Sequence, residues 1–140
     1  MMKPYEFLEH TADVKFRAYG ATLSEAFANA ARALFVVVTD VSRVRPVVTR
    51  TVKVSSARLR SLLYDFLEEL IVLQDAEGFL LSDVRELVVD ESAYSVVATI
   101  VGDLFEGQYD LTCQIKAVTY SDMLLERTSE GWMVQVVPDI

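Results

Sequence analysis

Two periodicities of apolar and polar positions succeed one another along this chain, and the points where they switch divide it into elements. From Val14 to Tyr19 the order Val-Lys-Phe-Arg-Ala-Tyr alternates residue by residue, as a strand with one wet and one dry face requires. Gly20 interrupts it. Thr22 and Glu25 then form a capping-box pattern ahead of Leu23, Phe27, Ala30, Ala31, Leu34 and Phe35, whose three-and-four spacing predicts a helix from about Leu23 to Val37. After Pro46, the spacing of Val48, Arg50, Val52 and Val54 predicts another strand. Ser55 or Ser56 is placed to cap a second helix, in which Leu59, Leu62, Leu63, Phe66, Leu67, Leu70 and Ile71 make a broad apolar face and Asp65, Glu68 and Glu69 a wet one. Gly78 lies just beyond its end.

Past Gly78 the signals are those of strands: Phe79 to Leu81, Val84 to Val89, Ala93 to Val101, Leu111 to Tyr120, Met123 to Arg127 and Trp132 to Val137. Short polar or glycine-containing breaks separate them, with Thr128-Ser129-Glu130-Gly131 suited to a hairpin turn. This half is expected to be a meander. With helices early and strands late, the fold class is α+β, two helices packed on a mostly antiparallel sheet, and neither repeats nor linkers divide residues 1–140 into more than one domain.

Hydrophobic residues at 52% against 24% charged are the balance of an ordered globular domain, so no disordered tail is expected. No apolar run approaches the roughly 18 residues of a membrane span, and Met1 to Glu6 lacks the apolar segment of a secretory signal. A cytoplasmic protein with no membrane role is expected. With 13 basic and 21 acidic residues, the net charge of −8 opposes nonspecific attraction to a phosphate backbone. Arg43, Arg45, Arg50, Lys53, Arg58 and Arg60 accordingly read as a solvated face, and in an RNA pathway such a chain would touch a basic protein partner rather than the nucleic acid. The single cysteine, Cys113, fits a small buried hydrophobe better than a reactive thiol. There is no Gly-x-Ser-x-Gly elbow, phosphate-binding Gly-x-x-x-x-Gly-Lys loop, Cys-x-x-Cys pair or second histidine, so nucleophilic, nucleotide-dependent and zinc-triad chemistry lack support and no catalytic residue is assigned.

Candidate chemistry gathers instead near the two ends, at Glu9-His10-Thr11-Ala12-Asp13 and at Asp139-Ile140. The α-carboxylate of Ile140 and the Asp139 side chain are two neighbouring oxygen anions at neutral pH. If the fold brings Asp13 to them, three carboxylates meet and a hard cation such as Ca²⁺, Mg²⁺ or Mn²⁺ is needed to offset their repulsion. Such an end would not tolerate extension. Taken singly, Asp13 also suits a turn or strand-end cap and Asp139 a solvated terminus, and both readings stay open. His10 lies an odd number of positions from Asp13, which points it to the opposite side of an extended segment and favours a structural or hydrogen-bonding role. Lys116, Val118 and Tyr120 alternate along a strand and share a face, from which Lys116 either neutralises nearby carboxylates or points into solvent.

With the Ala18-Tyr19-Gly20-Ala21-Thr22-Leu23-Ser24-Glu25-Ala26-Phe27 and Lys116-Ala117-Val118-Thr119-Tyr120 stretches, these ends resemble the archease family in order and over nearly the whole length. The resemblance implies a divalent cation, calcium by preference, bound through Asp13, Asp139 and the Ile140 carboxylate. It further implies a non-enzymatic protein cofactor that activates the RtcB-type tRNA-splicing ligase by promoting its guanylylation and multiple turnover in RNA repair. The alternatives are a chaperone or modulator of an RNA-modifying enzyme such as a tRNA methyltransferase, and a small metal-dependent hydrolase using an Asp13-bound water. The chain departs from the family at one place: where many relatives have histidine after Thr-Tyr, it has Ser121 followed by Asp122.

Overall fold

Helix α1, Leu23–Val38, begins where the capping pattern places it: the Thr22 hydroxyl oxygen accepts from the main-chain N–H of Glu25 at 3.1 Å. The computed structural model of the chain describes residues 3–9 and 14–140. The apolar stripe of α1, from Leu23 through Phe27 and Leu34 to Val38, is buried along its whole length. Helix α2, Leu59–Glu77, starts later than Ser55 or Ser56 and has Arg58 at its N-cap without a side-chain cap bond. The serines are held elsewhere: Ser55 pairs with Ser95, the Ser56 N–H donates to Tyr94, and the Ser56 hydroxyl meets that of Ser61 at 2.6 Å. Gly78 ends α2 at φ 72°, a left-handed conformation that a side chain would strain.

The strands are β1 (Tyr5–Leu8), β2 (Lys15–Gly20), β3 (Val48–Ser55), β4 (Phe79–Asp90), β5 (Ser95–Leu104), β6 (Ala117–Thr128) and β7 (Gly131–Asp139). All their pairings are antiparallel, as the α+β expectation has it, but the strands after Gly78 do not form one meander: they divide between two sheets, ordered β1-β2-β7-β6 and β3-β5-β4. The four-residue β1 gave no signal in the apolar pattern. The expected strands at Phe79 to Leu81 and Val84 to Val89 are one element, β4, with pairing shifts between Leu81 and Asp83 and between Val84 and Glu86. Tyr94, at φ 51°, belongs to the turn before β5 rather than to the strand. Leu111 to Lys116 is not a strand: apart from a bridge from Leu111 to Thr39, pairing starts at Ala117. The Thr128 to Gly131 segment does make a hairpin turn, and Gly131, at φ 144°, packs so tightly against Gly20 and Ala21 that a side chain has no room.

Each helix touches strands of both sheets, so one apolar core is shared between them. Phe27 of α1 stacks on Phe66 of α2 at 5.9 Å, and Phe35 meets Phe79 of β4 edge-on at 6.2 Å; all four rings are wholly buried. Truncating any of the three helix phenylalanines, Phe27, Phe35 or Phe66, to alanine would cost about 3–5 kcal/mol. Among the described residues no helix is long and apolar enough to cross a membrane. What this arrangement does for the candidate site is to hold β7 between β2 and β6, with Asp139 at its last position.

Candidate functional site

The C-terminal carboxylates are placed by strand pairing on both sides of β7. On one side Asp139 lies opposite Ala117, and the Lys116 main-chain N–H donates to the Asp139 carbonyl at 2.8 Å. On the other, Phe16 lies opposite Val136, and because the strands are antiparallel β2 begins, at Lys15, on the edge where β7 ends. Asp139 is half-buried, and among the described residues its carboxylate has no hydrogen-bond or ion-pair partner; Ile140 is 38% exposed. Lys116 is exposed, and among the described residues its ammonium is in no ion pair, so it does not neutralise Asp139. The structure therefore brings the Lys116 backbone, Asp139, Ile140 and the start of β2 together. Asp13 and His10 lie outside the described residues. Among those that are described, no three His, Cys, Asp or Glu side chains gather as a metal-binding group.

The Ser121-Asp122 departure coincides with an irregularity in the same sheet. Thr119 pairs with Val137 and Leu124 with Gln135, so Tyr120, Ser121, Asp122 and Met123 all stand opposite Val136 alone. Asp122 takes φ 54°, a left-handed conformation that aspartate tolerates better than most residues. Gln135, only 3% exposed, fixes the excursion: its amide nitrogen donates to the Asp122 carbonyl at 2.7 Å, while its amide oxygen accepts from Arg17 Nε at 2.8 Å. Lys15 Nζ lies 3.4 Å from the Asp122 carboxylate. A lone glutamine inside the apolar run of β7 was the sequence signal for this bridge.

The expected Lys116, Val118, Tyr120 face is not uniform. Val118 is buried, whereas Lys116 and Tyr120 are exposed. The ring of Tyr120 stacks on Tyr64 of α2, with centroids 4.3 Å apart and planes 9° apart, and the Arg60 guanidinium lies 5.5 Å from its centroid. Burial, followed by the charge of Glu68, pushes the Tyr64 hydroxyl above its usual pKa. Glu68, expected in the wet stripe, is half-buried because its carboxylate accepts from the Val118 main-chain N–H at 2.6 Å. Of the basic residues read as a solvated face, Arg50 instead donates to Glu77 at 2.7 Å, and the Arg43 guanidinium lies 3.4 Å from Asp40.

A second concavity opens at the carboxyl ends of the two helices. It encloses about 450 Å³ between Val38, Leu80, Phe105, Leu111 and Cys113, with Asp75 along one side. Cys113 is half-buried rather than buried; its thiol donates to the Val37 carbonyl at 3.2 Å, and burial raises its pKa. That lowers the thiolate fraction at neutral pH and argues against a catalytic thiol, while the half-exposed sulfur stays open to a reagent.

Comparison with known proteins places this geometry among close relatives. The model of the Archease protein family matches residues 5–140. The chain is 43% identical over 142 residues to the protein archease of Thermococcus gammatolerans, covering 99% of this chain and 100% of the relative. It is 44% identical over 141 residues to that of Methanosarcina acetivorans, covering 99% and 97%. The solution structure of Methanobacterium thermoautotrophicum protein 1598 superposes with a TM-score of 0.85 at 34% identity, covering 99% of this chain and all of that one. A Thermotoga maritima crystal structure, described as an archease and possible chaperone, has a TM-score of 0.65 at 19% identity over 100% and 98% of the two chains, and shows the fold alone.

Proposed function

Because this chain belongs to the archease family, we propose that it is a non-enzymatic, metal-binding protein cofactor that activates an RtcB-type tRNA-splicing ligase in the cytoplasm, promoting the ligase's guanylylation and repeated turnover. The observation that carries the reading is Asp139: a half-buried carboxylate with no partner among the described residues, on the edge of the sheet where the chain enters β2 two residues after Asp13. Asp13, Asp139 and the α-carboxylate of Ile140 are the proposed ligands.

The donor set fits a hard divalent cation. Carboxylate oxygens suit Ca²⁺, Mg²⁺ and Mn²⁺, the proposed donor set contains neither a thiol nor an imidazole that would favour a softer metal, and Asp139 has no partner among the described residues. Ca²⁺ takes about 6–8 oxygens, so three carboxylates leave positions for water or for oxygens of the partner. A cation bound there would supply positive charge to nucleotide phosphates in the ligase. The chain's own part is to hold the three carboxylates in position through the β2-β7-β6 pairing. The surrounding net charge of −8 favours docking to a basic, RNA-handling protein.

Multiple-turnover RNA ligation by the cognate ligase, with and without this chain, tests the proposal. Product accumulating well beyond one equivalent per ligase only when the chain is present is expected; identical time courses would overturn it.

A further inference from the structure

We propose that the cleft at the carboxyl ends of α1 and α2 docks a basic segment of the partner enzyme that carries an apolar side chain at its tip, and so sets the C-terminal carboxylates against that partner. This rests on the reading of the chain as a ligase cofactor. Two of the cleft's walls are large apolar residues left in solvent, Phe105 at 37% and Leu111 at 46% exposure. Its volume of about 450 Å³ is within the range of sites that take up a compact group and far larger than a packing defect. An apolar tip entering it would remove both residues from water.

The charge around the cleft specifies the rest of the occupant. Asp75 is the one charged residue that lines the cleft, and the two segments that supply most of its lining, residues 74–78 and 105–114, add Glu77, Glu106 and Asp110 nearby and contain not one lysine or arginine. Glu77 is held by Arg50, but Asp75, Glu106 and Asp110 are exposed and in no ion pair among the described residues. A segment with lysine or arginine beside its apolar tip meets this rim with favourable charge; an acidic one is repelled.

The cleft is also tied to the carboxylate end by a short, doubly anchored segment. The Thr112 N–H donates to the Val38 carbonyl at 2.7 Å, the Lys116 N–H donates to the Asp139 carbonyl at 2.8 Å, and Ile115 between them is wholly buried. Four residue steps span at most about 14 Å, so the cleft wall and the Asp139 end are close enough for one partner to contact both.

Cys113, the only cysteine in the chain, lines the cleft and reports on its occupancy. The experiment measures the labelling rate of Cys113 by a maleimide with and without saturating cognate ligase, and the affinity of the ligase for wild type, Leu111→Ser and Phe105→Ser, with Ca²⁺ titration of each variant as a control. Labelling slowed about tenfold or more in the complex, and ligase affinity lowered about tenfold or more in both variants with Ca²⁺ affinity unchanged, are expected. If a complex forms but Cys113 labels at its free rate, or if both variants bind the ligase as wild type does, the cleft is not the docking site while the cofactor reading stands. If wild type forms no complex and gives no activation, both fall.

Discussion

The main-chain N–H of Lys116 donates to the carbonyl of Asp139 at 2.8 Å, so the lysine of the Lys-Ala-Val-Thr-Tyr motif supports the C-terminal end through its backbone while its side chain stands in solvent. Lys116→Ala keeps that N–H and should change stability by no more than about 0.5 kcal/mol, with Ca²⁺ affinity unaltered. Lys116→Pro removes the donor and should cost about 0.5–1.5 kcal/mol and weaken Ca²⁺ binding. Urea denaturation and calorimetric titration of the two variants check both. Weaker Ca²⁺ binding by Lys116→Ala would show that the ammonium itself supports the cation.

Gln135 joins Arg17 to the Asp122 carbonyl inside the sheet. Gln135→Leu keeps roughly the same volume but removes the buried amide that both Arg17 Nε and the Asp122 carbonyl use, so it should destabilise by about 1–3 kcal/mol. The midpoint of urea unfolding measures this. A wild-type midpoint would mean that the Tyr120 to Met123 excursion holds itself.

Acid should weaken the fold through Asp83. Burial pushes its pKa up, but the hydrogen bond and charge of Arg32, whose Nε lies 2.8 Å away, together with the Val84 N–H, outweigh burial and hold it below the usual value. A folded pKa below the unfolded one contributes stability that is present above the ordinary carboxylate value, about 3.9, and is lost as pH falls through it toward the folded pKa. The pair's side chains are 32% and 49% exposed, so the contribution is that of a screened pair, about 0.2–1 kcal/mol. Asp83→Asn should flatten the stability profile below about pH 4 relative to wild type. Parallel profiles would remove Asp83 from the acid response.

Residues added after Ile140 should damage function far more than the same residues added before Met1. Extension turns a carboxylate into a neutral peptide carbonyl, so the proposed site loses one full negative charge while every side chain remains. Titration with Ca²⁺ and Mn²⁺ compares the two tagged forms with the untagged chain. Undiminished binding by the C-terminally extended form would make Ile140 an ordinary last residue.

Local signals were legible where the chain satisfies itself nearby. Thr22 and Glu25 announced the start of α1, Gly78 the end of α2, and Thr128 to Gly131 the last hairpin, because each depends on residues within a few positions. Partner choice between distant strands was not legible: nothing in the Trp132 to Val137 pattern says that β7 inserts between β2 and β6. The β1 strand is four residues long, too short for alternation to stand out. Glu68 followed the polar stripe of α2 in sequence, yet the fold uses it to satisfy the Val118 N–H at the start of β6, a demand that appears only when the two elements meet. At the candidate site, the acidic ends and the lysine motif could be named from sequence, but the lysine's backbone role, the Gln135 bridge and the exposed walls beside Cys113 arise from tertiary packing.

The most direct test of the account is Asp139→Asn, which preserves size and removes one charge from the proposed cation site. Calorimetric titration with Ca²⁺, run alongside multiple-turnover ligation by the cognate ligase and circular dichroism of the variant, gives the answer in one set of samples. The account predicts a folded variant whose Ca²⁺ affinity falls by about tenfold or more and which no longer sustains turnover of the ligase. A folded Asp139→Asn that binds Ca²⁺ and activates the ligase as wild type does would contradict it.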